Sequence, residues 1–143
     1  MPQQQPVTII MVEDDDGHAR LIEKNIRRAG VCNEIRAFKN GTAALEHLFH
    51  EDVRNAGPFL VLLDLNLPDM NGVDILAKLK NDEKLKRAPV VVLTTTDDQR
   101  EVQRCYDLGA NVYITKPVEY ESFSQAIRQL GLFLSVIQVP ETL

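Results

Sequence analysis

The chain has 143 residues, of which 44% are hydrophobic and 26% charged, and its formal net charge at pH 7 is −5. This length suits one domain with a full core and is short for two. The basic residues are scattered and no apolar stretch approaches the roughly 20 residues that cross a bilayer, so the composition argues against a nucleic-acid partner and against a membrane protein.

The chain begins with a polar segment, residues 1–6, that lacks the basic start and apolar core of a signal peptide. We therefore expect a disordered tail and a cytoplasmic protein. Residues 7–12 are apolar and rich in β-branched side chains, which predicts a strand covered on both faces. Asp15 or Asp16 is expected to cap the next helix, which ends at Gly30. Its apolar positions recur every three or four residues: Ala19, Ile22, Ile26 and Ala29.

A second strand and a second helix are predicted next. Residues 34–38 alternate between apolar and polar side chains, as in a strand. Gly41 precedes a helix whose apolar positions are Leu45, Leu48 and Phe49. The polar residues 50–57 are expected to form a loop, which Pro58 closes.

Three more strands are predicted at residues 59–63, 90–93 and 111–115. The third strand is followed by a loop rich in proline, asparagine and glycine, residues 65–72, and then by a helix with Ile75, Leu76 and Leu79 inward. Asp97 and Asp98 begin the helix after the fourth strand, with apolar positions Val102, Cys105 and Tyr106. A final helix follows Pro117, with an apolar stripe of Phe123, Ile127, Leu130, Leu134 and Ile137.

Five strands that alternate with five helices predict a doubly wound α/β fold. Parallel neighbours need crossover connections, and these are right-handed in nearly all proteins. We expect a five-stranded parallel sheet with helices on both faces.

Four of the predicted strands end in residues suited to phosphate chemistry. Glu13 and Asp14 follow the first strand, Asp64 the third, Thr94 the fourth and Lys116 the fifth. Because the carboxyl ends of parallel strands lie along one edge, where open α/β sheets bind ligands, these residues are expected to form one site.

Three acids at one edge repel one another, and a cation would relieve that repulsion. Two carboxylates about 4 Å apart repel by about 4 kcal/mol at an effective dielectric constant of 20. A small, open set of oxygen ligands suits Mg²⁺, or Mn²⁺ in its place. His18, His47 and His50 are expected to stand well away from these strand ends. Aspartate is an established covalent acceptor of phosphate, and Thr94 and Lys116 are suited to hold the oxygens of a phosphoryl group on Asp64.

These motifs closely resemble those of the receiver domains of two-component response regulators. They are Val12-Glu13-Asp14-Asp15, the segment LDLNLPDMNG from Leu63 to Gly72, Thr94, and Lys116-Pro117. The likeness covers nearly the whole chain, and four motifs following four strands make it specific. It implies a flavodoxin-like fold with strand order 2-1-3-4-5. It also implies one receiver domain at residues 7–139 with an extended C-terminal helix, a tail at 140–143 and no output domain.

The resemblance implies a role for each residue of the site. Asp64 would accept a phosphoryl group from a histidine kinase or a phosphotransfer protein. Mg²⁺ would be held by Asp14, Asp64 and the backbone carbonyl of Asn66, with Glu13, which replaces the commoner aspartate, in the outer part of the metal site. Thr94 and Lys116 would contact the phosphoryl oxygens.

Further positions match the family's conformational switch and its control of phosphoryl lifetime. Tyr113 matches the aromatic switch residue that turns inward when Thr94 moves, and Asn66 and Thr96 match positions that tune the lifetime of the phosphoryl group. The Lys116-Pro117 peptide would be cis. Such a protein is a phosphoacceptor and not an enzyme, beyond catalysing its own phosphorylation and dephosphorylation. Its downstream role stays open between effector, phosphate sink and relay to a phosphotransfer protein.

The end of the chain suggests a dimer and a subgroup. Leu132, Phe133 and Val136 lie off the apolar stripe, so residues 131–139 are apolar nearly all round, which is typical of a binding surface. We hypothesise a homodimer built on this helix; the alternative is that the segment folds back onto its own domain. Residues 50–58 and 130–136 resemble the single-domain regulators that pair with bacterial and cyanobacterial phytochromes, which implies a red-light-sensing histidine kinase as donor.

Two other functions are weighed against the signalling switch. A phosphatase of the haloacid dehalogenase type places a second carboxylate two residues after its nucleophile to transfer protons, whereas this chain has the amide of Asn66 there. A flavodoxin-like mononucleotide binder needs a phosphate loop after the first strand, where residues 13–16 are all acidic. The sequence therefore favours the switch.

Overall fold

The computed structural model describes residues 7–116 and 119–134, and in these ranges five strands alternate with six α-helices. The strands are β1 (Thr8–Val12), β2 (Ile35–Phe38), β3 (Phe59–Asp64), β4 (Val90–Thr94) and β5 (Val112–Thr115). The helices are α1 (Asp16–Arg28), α2 (Gly41–Leu48), α3 (Glu51–Arg54), α4 (Gly72–Lys80), α5 (Gln99–Asp107) and α6 (Tyr120–Leu134). A 3₁₀ turn, Leu85–Arg87, precedes β4.

The strands form one parallel sheet in the order β2-β1-β3-β4-β5, which confirms the predicted fold. In the register of the sheet, Val12 pairs with Leu63, Asp64 with Leu93 and Thr94 with Thr115. The carboxyl ends of four neighbouring strands therefore meet at one edge, although the residues are about 100 positions apart in the chain.

Alternate side chains of each central strand enter two separate cores, as period-2 geometry requires. In β1, Ile10 and Val12 pack with buried residues of α2, α4 and α5, while Ile9 and Met11 pack with α1 and with Phe123 of α6. Both faces of the sheet are covered by helices, and this accounts for the unbroken apolar runs in the sequence.

Helix α1 begins and ends as predicted. The Asp15 carboxylate accepts the backbone N–H of His18 at 2.9 Å, so Asp15 is the cap and Asp16 the first helical residue. Gly30 follows the C-cap with φ of 88°, a conformation that glycine adopts without strain.

Three details of the sequence prediction are wrong. Residues 51–54, expected in a loop, form α3: acidic residues in the first turn favour a helix, and Arg54 at its end forms an ion pair with Asp82 at 2.9 Å. Phe49 follows the last residue of α2 and is 39% exposed. Tyr106 is 44% exposed because the inward face of α5 is occupied by Cys105.

Some predictions fall on residues that the structure does not describe. They are the tails, the cis peptide at Pro117, and residues 135–139 at the end of the predicted domain, which include Val136 and Ile137. The side chains of Ile127, Leu130, Leu132, Phe133 and Leu134 in α6 also lie outside the described part of the chain. Among the helices that are described, none is long and apolar enough to cross a membrane.

Candidate functional site

The predicted site residues converge at the carboxyl edge of the sheet. Hydrogen bonds of the sheet continue past the strand ends, from the Glu13 N–H to Phe38 O at 2.9 Å and from the Lys116 N–H to Thr94 O at 2.7 Å. Backbone hydrogen bonds alone therefore fix the strand ends that lie on both sides of Asp64. Glu13, Asp14, Asp64, Thr94 and Lys116 all lie in this region, as the sequence predicts.

The acidic side chains form one cluster. Glu13, Asp14 and Asp64 each place a carboxylate oxygen within 4.8 Å of the other two. Glu13 and Asp64 are buried, whereas Asp14 is exposed and lines, with residues 65–71, an open cleft of about 540 Å³. Solvent and small ligands therefore reach the cluster from the side of Asp14.

Lys116 provides the positive charge beside the cluster. Its side chain is only 5% exposed, and its ammonium forms ion pairs with Glu13 Oε1 and, at 3.2 Å, with Asp64 Oδ2. One ammonium faces three carboxylates, so two negative charges in the cluster have no countercharge from Lys116.

Among the three acids, Glu13 has a clearly raised pKa. The pKa of its carboxyl is raised to about 7, chiefly by burial and to a smaller extent by the adjacent Asp64, against the opposing effects of Lys116 and the Asp15 N–H. Glu13 was expected in the outer part of a metal site, and here it is enclosed and bonded to Lys116.

The oxygen donors fit a hard divalent cation. The site offers three carboxylates, excess negative charge and an opening to solvent. Mg²⁺ and Mn²⁺ prefer oxygen ligands, and Mg²⁺ usually keeps several of its waters when bound. Asp14 and Asp64 would supply the carboxylate ligands, because both oxygens of Glu13 already accept hydrogen bonds, one from Lys116 and one from the Asp15 N–H. Lys116 contacts only Oδ2 of Asp64.

Hydroxyl and amide groups form the opposite side of the site. The Asn66 side chain donates to Thr94 Oγ1 at 3.2 Å and to Thr95 Oγ1 at 3.3 Å, and its backbone N–H donates to Asp64 Oδ1 at 3.1 Å. Thr94 is fully buried, and its hydroxyl also accepts the Thr96 N–H at 3.4 Å. Asn66 thus connects Asp64, at the end of β3, to Thr94, at the end of β4.

Tyr113 is linked to the same loop as Thr94. Its hydroxyl donates to the backbone carbonyl of Thr96 at 2.8 Å, and its own N–H donates to Tyr106 Oη at 3.2 Å. Burial raises the pKa of Tyr113 to about 12, so the hydroxyl keeps its proton and remains a donor. Tyr113 lies in β5 and is half-buried, and its acceptor Thr96 is two residues after Thr94 in the β4–α5 loop.

Asp69 was not singled out among the site residues predicted from sequence. It accepts the backbone N–H groups of Gly41 and Thr42 at 2.9 and 2.8 Å, and also the Thr42 hydroxyl. These bonds lower its pKa to about 2 and fasten the loop after β3 to the N-terminus of α2. The only signal in the sequence is that both segments follow strands at the same edge.

His18 contradicts the sequence prediction that all three histidines stand well away from the strand ends. Its Nδ1 lies 3.3 Å from Lys116 Nζ. The spacing of four residues from Asp14, in the first turn of a helix that begins at this edge, is the signal that could have found it. His47 does lie elsewhere, beside Arg36 on the β2 side of the sheet.

Comparisons with known proteins agree with this arrangement. A family model described as the response regulator receiver domain matches residues 9–128. A receiver domain from Rhodospirillum rubrum is 71% identical, covering 95% of this chain and 99% of that one, with a TM-score of 0.77.

Two relatives at lower identity are cyanobacterial. Response regulator Rcp1 of Synechocystis is 33% identical over 94% of each chain, and its structure in the Mn²⁺-bound form, covering 95% of this chain and 100% of that one, has a TM-score of 0.74. The phosphorylated cyanobacterial phytochrome response regulator RcpA is 36% identical, covering 96% of this chain and all of that one, with a TM-score of 0.75.

Proposed function

Because the chain belongs to the family of response regulator receiver domains, we propose that Asp64 is its phosphoacceptor and that a histidine kinase supplies the phosphoryl group. One observation carries this proposal: Asp64 Oδ2 lies 3.2 Å from the ammonium of Lys116, inside the acidic cluster at the carboxyl edge of the sheet. A buried carboxylate with a buried lysine beside it has both the nucleophile and a charge for the transferred oxygens.

The reaction is transfer of a phosphoryl group from a phosphohistidine to the Asp64 carboxylate. A P–O bond to Asp64 forms as the P–N bond of the donor breaks, and the departing imidazole takes up a proton. Such transfers depend mainly on positioning and on neutralising charge at the phosphoryl oxygens. Among the described residues, Lys116 and the hydroxyl of Thr94 are placed to contact those oxygens.

We propose that Asp14, Asp64 and the Asn66 backbone carbonyl hold Mg²⁺, with Glu13 further out. When bound, the ion neutralises negative charge on the carboxylates and the phosphoryl oxygens. Mn²⁺ is expected to substitute, since the relative Rcp1 has a Mn²⁺-bound form. Lys116 balances part of the negative charge of the cluster through Glu13 and Asp64.

The proposed output is a change at Thr94 and Tyr113. Phosphoryl oxygens compete for the Thr94 hydroxyl, which is bonded to the Asn66 amide and the Thr96 N–H. Movement of this loop toward the phosphoryl group displaces the Thr96 carbonyl, the acceptor of the Tyr113 hydroxyl. Tyr113 is then free to turn inward, which alters the surface around β5.

The proposed donor is a phytochrome-type histidine kinase, on the strength of the relatives described as phytochrome response regulators. A histidine kinase takes its phosphoryl group from ATP, so the proposed location is the cytoplasm. We further propose a homodimer through Leu132, Phe133 and Val136, and passage of the phosphoryl group to a phosphotransfer protein as one downstream route.

A label-transfer experiment tests the proposal. Candidate phytochrome kinases, autophosphorylated with labelled ATP, are incubated with the protein and Mg²⁺, and the label on the smaller protein is followed with time. We expect rapid transfer to the parent protein and none to Asp64→Asn. Equal labelling of both proteins would show that a different residue is modified.

A further inference from the structure

The ammonium of Lys116 has three N–H donors, and within the described ranges three neighbouring atoms accept them. These are Glu13 Oε1, Asp64 Oδ2 at 3.2 Å and His18 Nδ1 at 3.3 Å. An ammonium can only donate, so His18 Nδ1 is the acceptor. This hydrogen bond therefore requires the tautomer of the imidazole whose proton is on Nε2.

Helix α1 fixes the position of this ring. His18 is the third residue of the helix, and its backbone N–H donates to Asp15 Oδ1 at 2.9 Å in the N-terminal cap. Its side chain is 45% exposed, whereas Lys116 is 5% exposed. His18 is therefore the one acceptor of the three that is both uncharged and in contact with solvent.

The difference in charge between the acceptors matters for a lysine that must bind phosphoryl oxygens. A third carboxylate at the place of His18 would orient the ammonium but would also neutralise it. A neutral nitrogen fixes one N–H and leaves the charge available on the side of Asp64. The nearest carboxylate to the ring, Asp15, lies 3.9 Å from Nδ1 and is exposed.

We propose that His18 is a positioning residue for Lys116: its Nδ1 holds one N–H of the ammonium, so that the other two point at Glu13 and Asp64, where the phosphoryl oxygens arrive. This inference rests on the proposed phosphoacceptor function of Asp64. His18 would affect the reaction by orienting Lys116, and it would not itself contact the transferred phosphoryl group.

Three variants separate the acceptor from the bulk of the ring. His18→Asn keeps an oxygen at the position of Nδ1, His18→Leu removes the acceptor at similar size, and His50→Leu alters an exposed histidine elsewhere. The rate of Asp64 phosphorylation by acetyl phosphate with Mg²⁺ is measured by mass spectrometry of the peptide. Loss of one hydrogen bond from a half-exposed side chain is expected to slow His18→Leu by roughly threefold to tenfold, with the other two variants within about twofold of the parent.

The outcomes distinguish the two proposals. If Asp64 is modified at the same rate in His18→Leu as in the parent, or if His18→Asn is as slow as His18→Leu, the role of His18 is overturned and that of Asp64 stands. Modification of the parent at another residue would overturn the proposed function.

A second measurement needs neither phosphate nor metal. Nitrogen-15 NMR of the metal-free protein at about pH 8 reports which ring nitrogen of His18 carries the proton. We expect protonated Nε2 and unprotonated Nδ1; a proton on Nδ1 would exclude the contact with Lys116 and overturn the inference.

Discussion

The carboxylate of Asp69 accepts both the backbone N–H, at 2.8 Å, and the side-chain hydroxyl of Thr42, across 27 residues of sequence. Together with the bond from the Gly41 N–H, this contact joins the loop that follows β3 to the first turn of α2. The loop that surrounds Asp64 is thus supported by a neighbouring helix as well as by the sheet.

This contact predicts a dependence of stability on pH. The pKa of Asp69 falls from about 3.8 in the unfolded chain to about 2 in the folded protein, chiefly through the Thr42 hydroxyl and the Gly41 N–H. Its contribution is therefore complete above pH 4 and is lost as the pH falls toward 2. Urea unfolding of the parent and of Asp69→Asn between about pH 5 and pH 2.5 should converge as the pH falls.

The control for this experiment is Asp52→Asn, which alters an exposed carboxylate in α3. Its stability difference from the parent should change little over the same range. Asp82, whose pKa is also held near 2 by Arg54, supplies the acid sensitivity that Asp69→Asn retains. A constant difference between the parent and Asp69→Asn would contradict the assigned contact.

Gly72 predicts a steric limit on the same loop. A Cβ at this position would lie 2.7 Å from the Cα of Leu65 and still closer to the carbonyl oxygen of Asp64, and backbone cannot move aside as a side chain can. Gly72→Ala should lower the free energy of unfolding by about 1–3 kcal/mol and weaken Mg²⁺ binding, because the loop after Asp64 is displaced. Denaturant unfolding and calorimetric titration with Mg²⁺ measure both effects.

Gly57→Ala is a matched control for this substitution. A Cβ there meets only the Phe59 ring within 3.4 Å, in a loop at the opposite edge of the sheet. Mg²⁺ affinity should stay at the parent value in Gly57→Ala. Equal loss of affinity in both variants would mean that global destabilisation, and not the approach of Gly72 to Asp64, is responsible.

The acidic cluster predicts opposite effects of one substitution with and without metal. Asp14→Ala removes an exposed charge near two buried carboxylates, so in chelator the melting temperature should rise, by up to about 3 °C. Excess Mg²⁺ should stabilise the parent, by about 2.7 kcal/mol at a hundred times the dissociation constant, and should leave Asp14→Ala unchanged.

Asp16→Ala provides the comparison, because Asp16 is an exposed acid two residues away that pairs with Lys39 at 3.0 Å. It should retain the full response to Mg²⁺. An equal Mg²⁺ response in the parent, Asp14→Ala and Asp16→Ala would show that Mg²⁺ does not bind at Asp14.

The features that sequence could predict are those that follow from a local pattern. The buried runs that end at Val12 and Asp64 predict parallel strands, and the position of Asp14, Asp64, Thr94 and Lys116 at the strand ends then follows from the geometry of a parallel sheet. The sequence narrowed the cap of α1 to Asp15 or Asp16 for the same reason, since the bond from the His18 N–H to Asp15 spans only three residues.

The features that sequence missed depend on contacts between distant segments. The approach of His18 to Lys116 spans 98 residues, and it depends on where the first turn of α1 lies over the end of β5. Asp69 and Thr42 likewise meet only after α2 and the loop after β3 have both been positioned. In the same way, the outward position of Tyr106 depends on how α5 rotates to bury Cys105.

We propose that residues from four strand ends converge on a phosphoryl group at Asp64. The decisive measurement is a crystal structure with Mg²⁺ and beryllofluoride, a mimic of the phosphoryl group, with Asp64→Asn crystallised under the same conditions as the control. We expect beryllofluoride on Asp64, hydrogen-bonded to Thr94 and Lys116, with Mg²⁺ held by Asp14 and Asp64, and none of this in Asp64→Asn. Beryllofluoride on another residue, or on Asp64 with Thr94 and Lys116 both turned away, would refute this convergence.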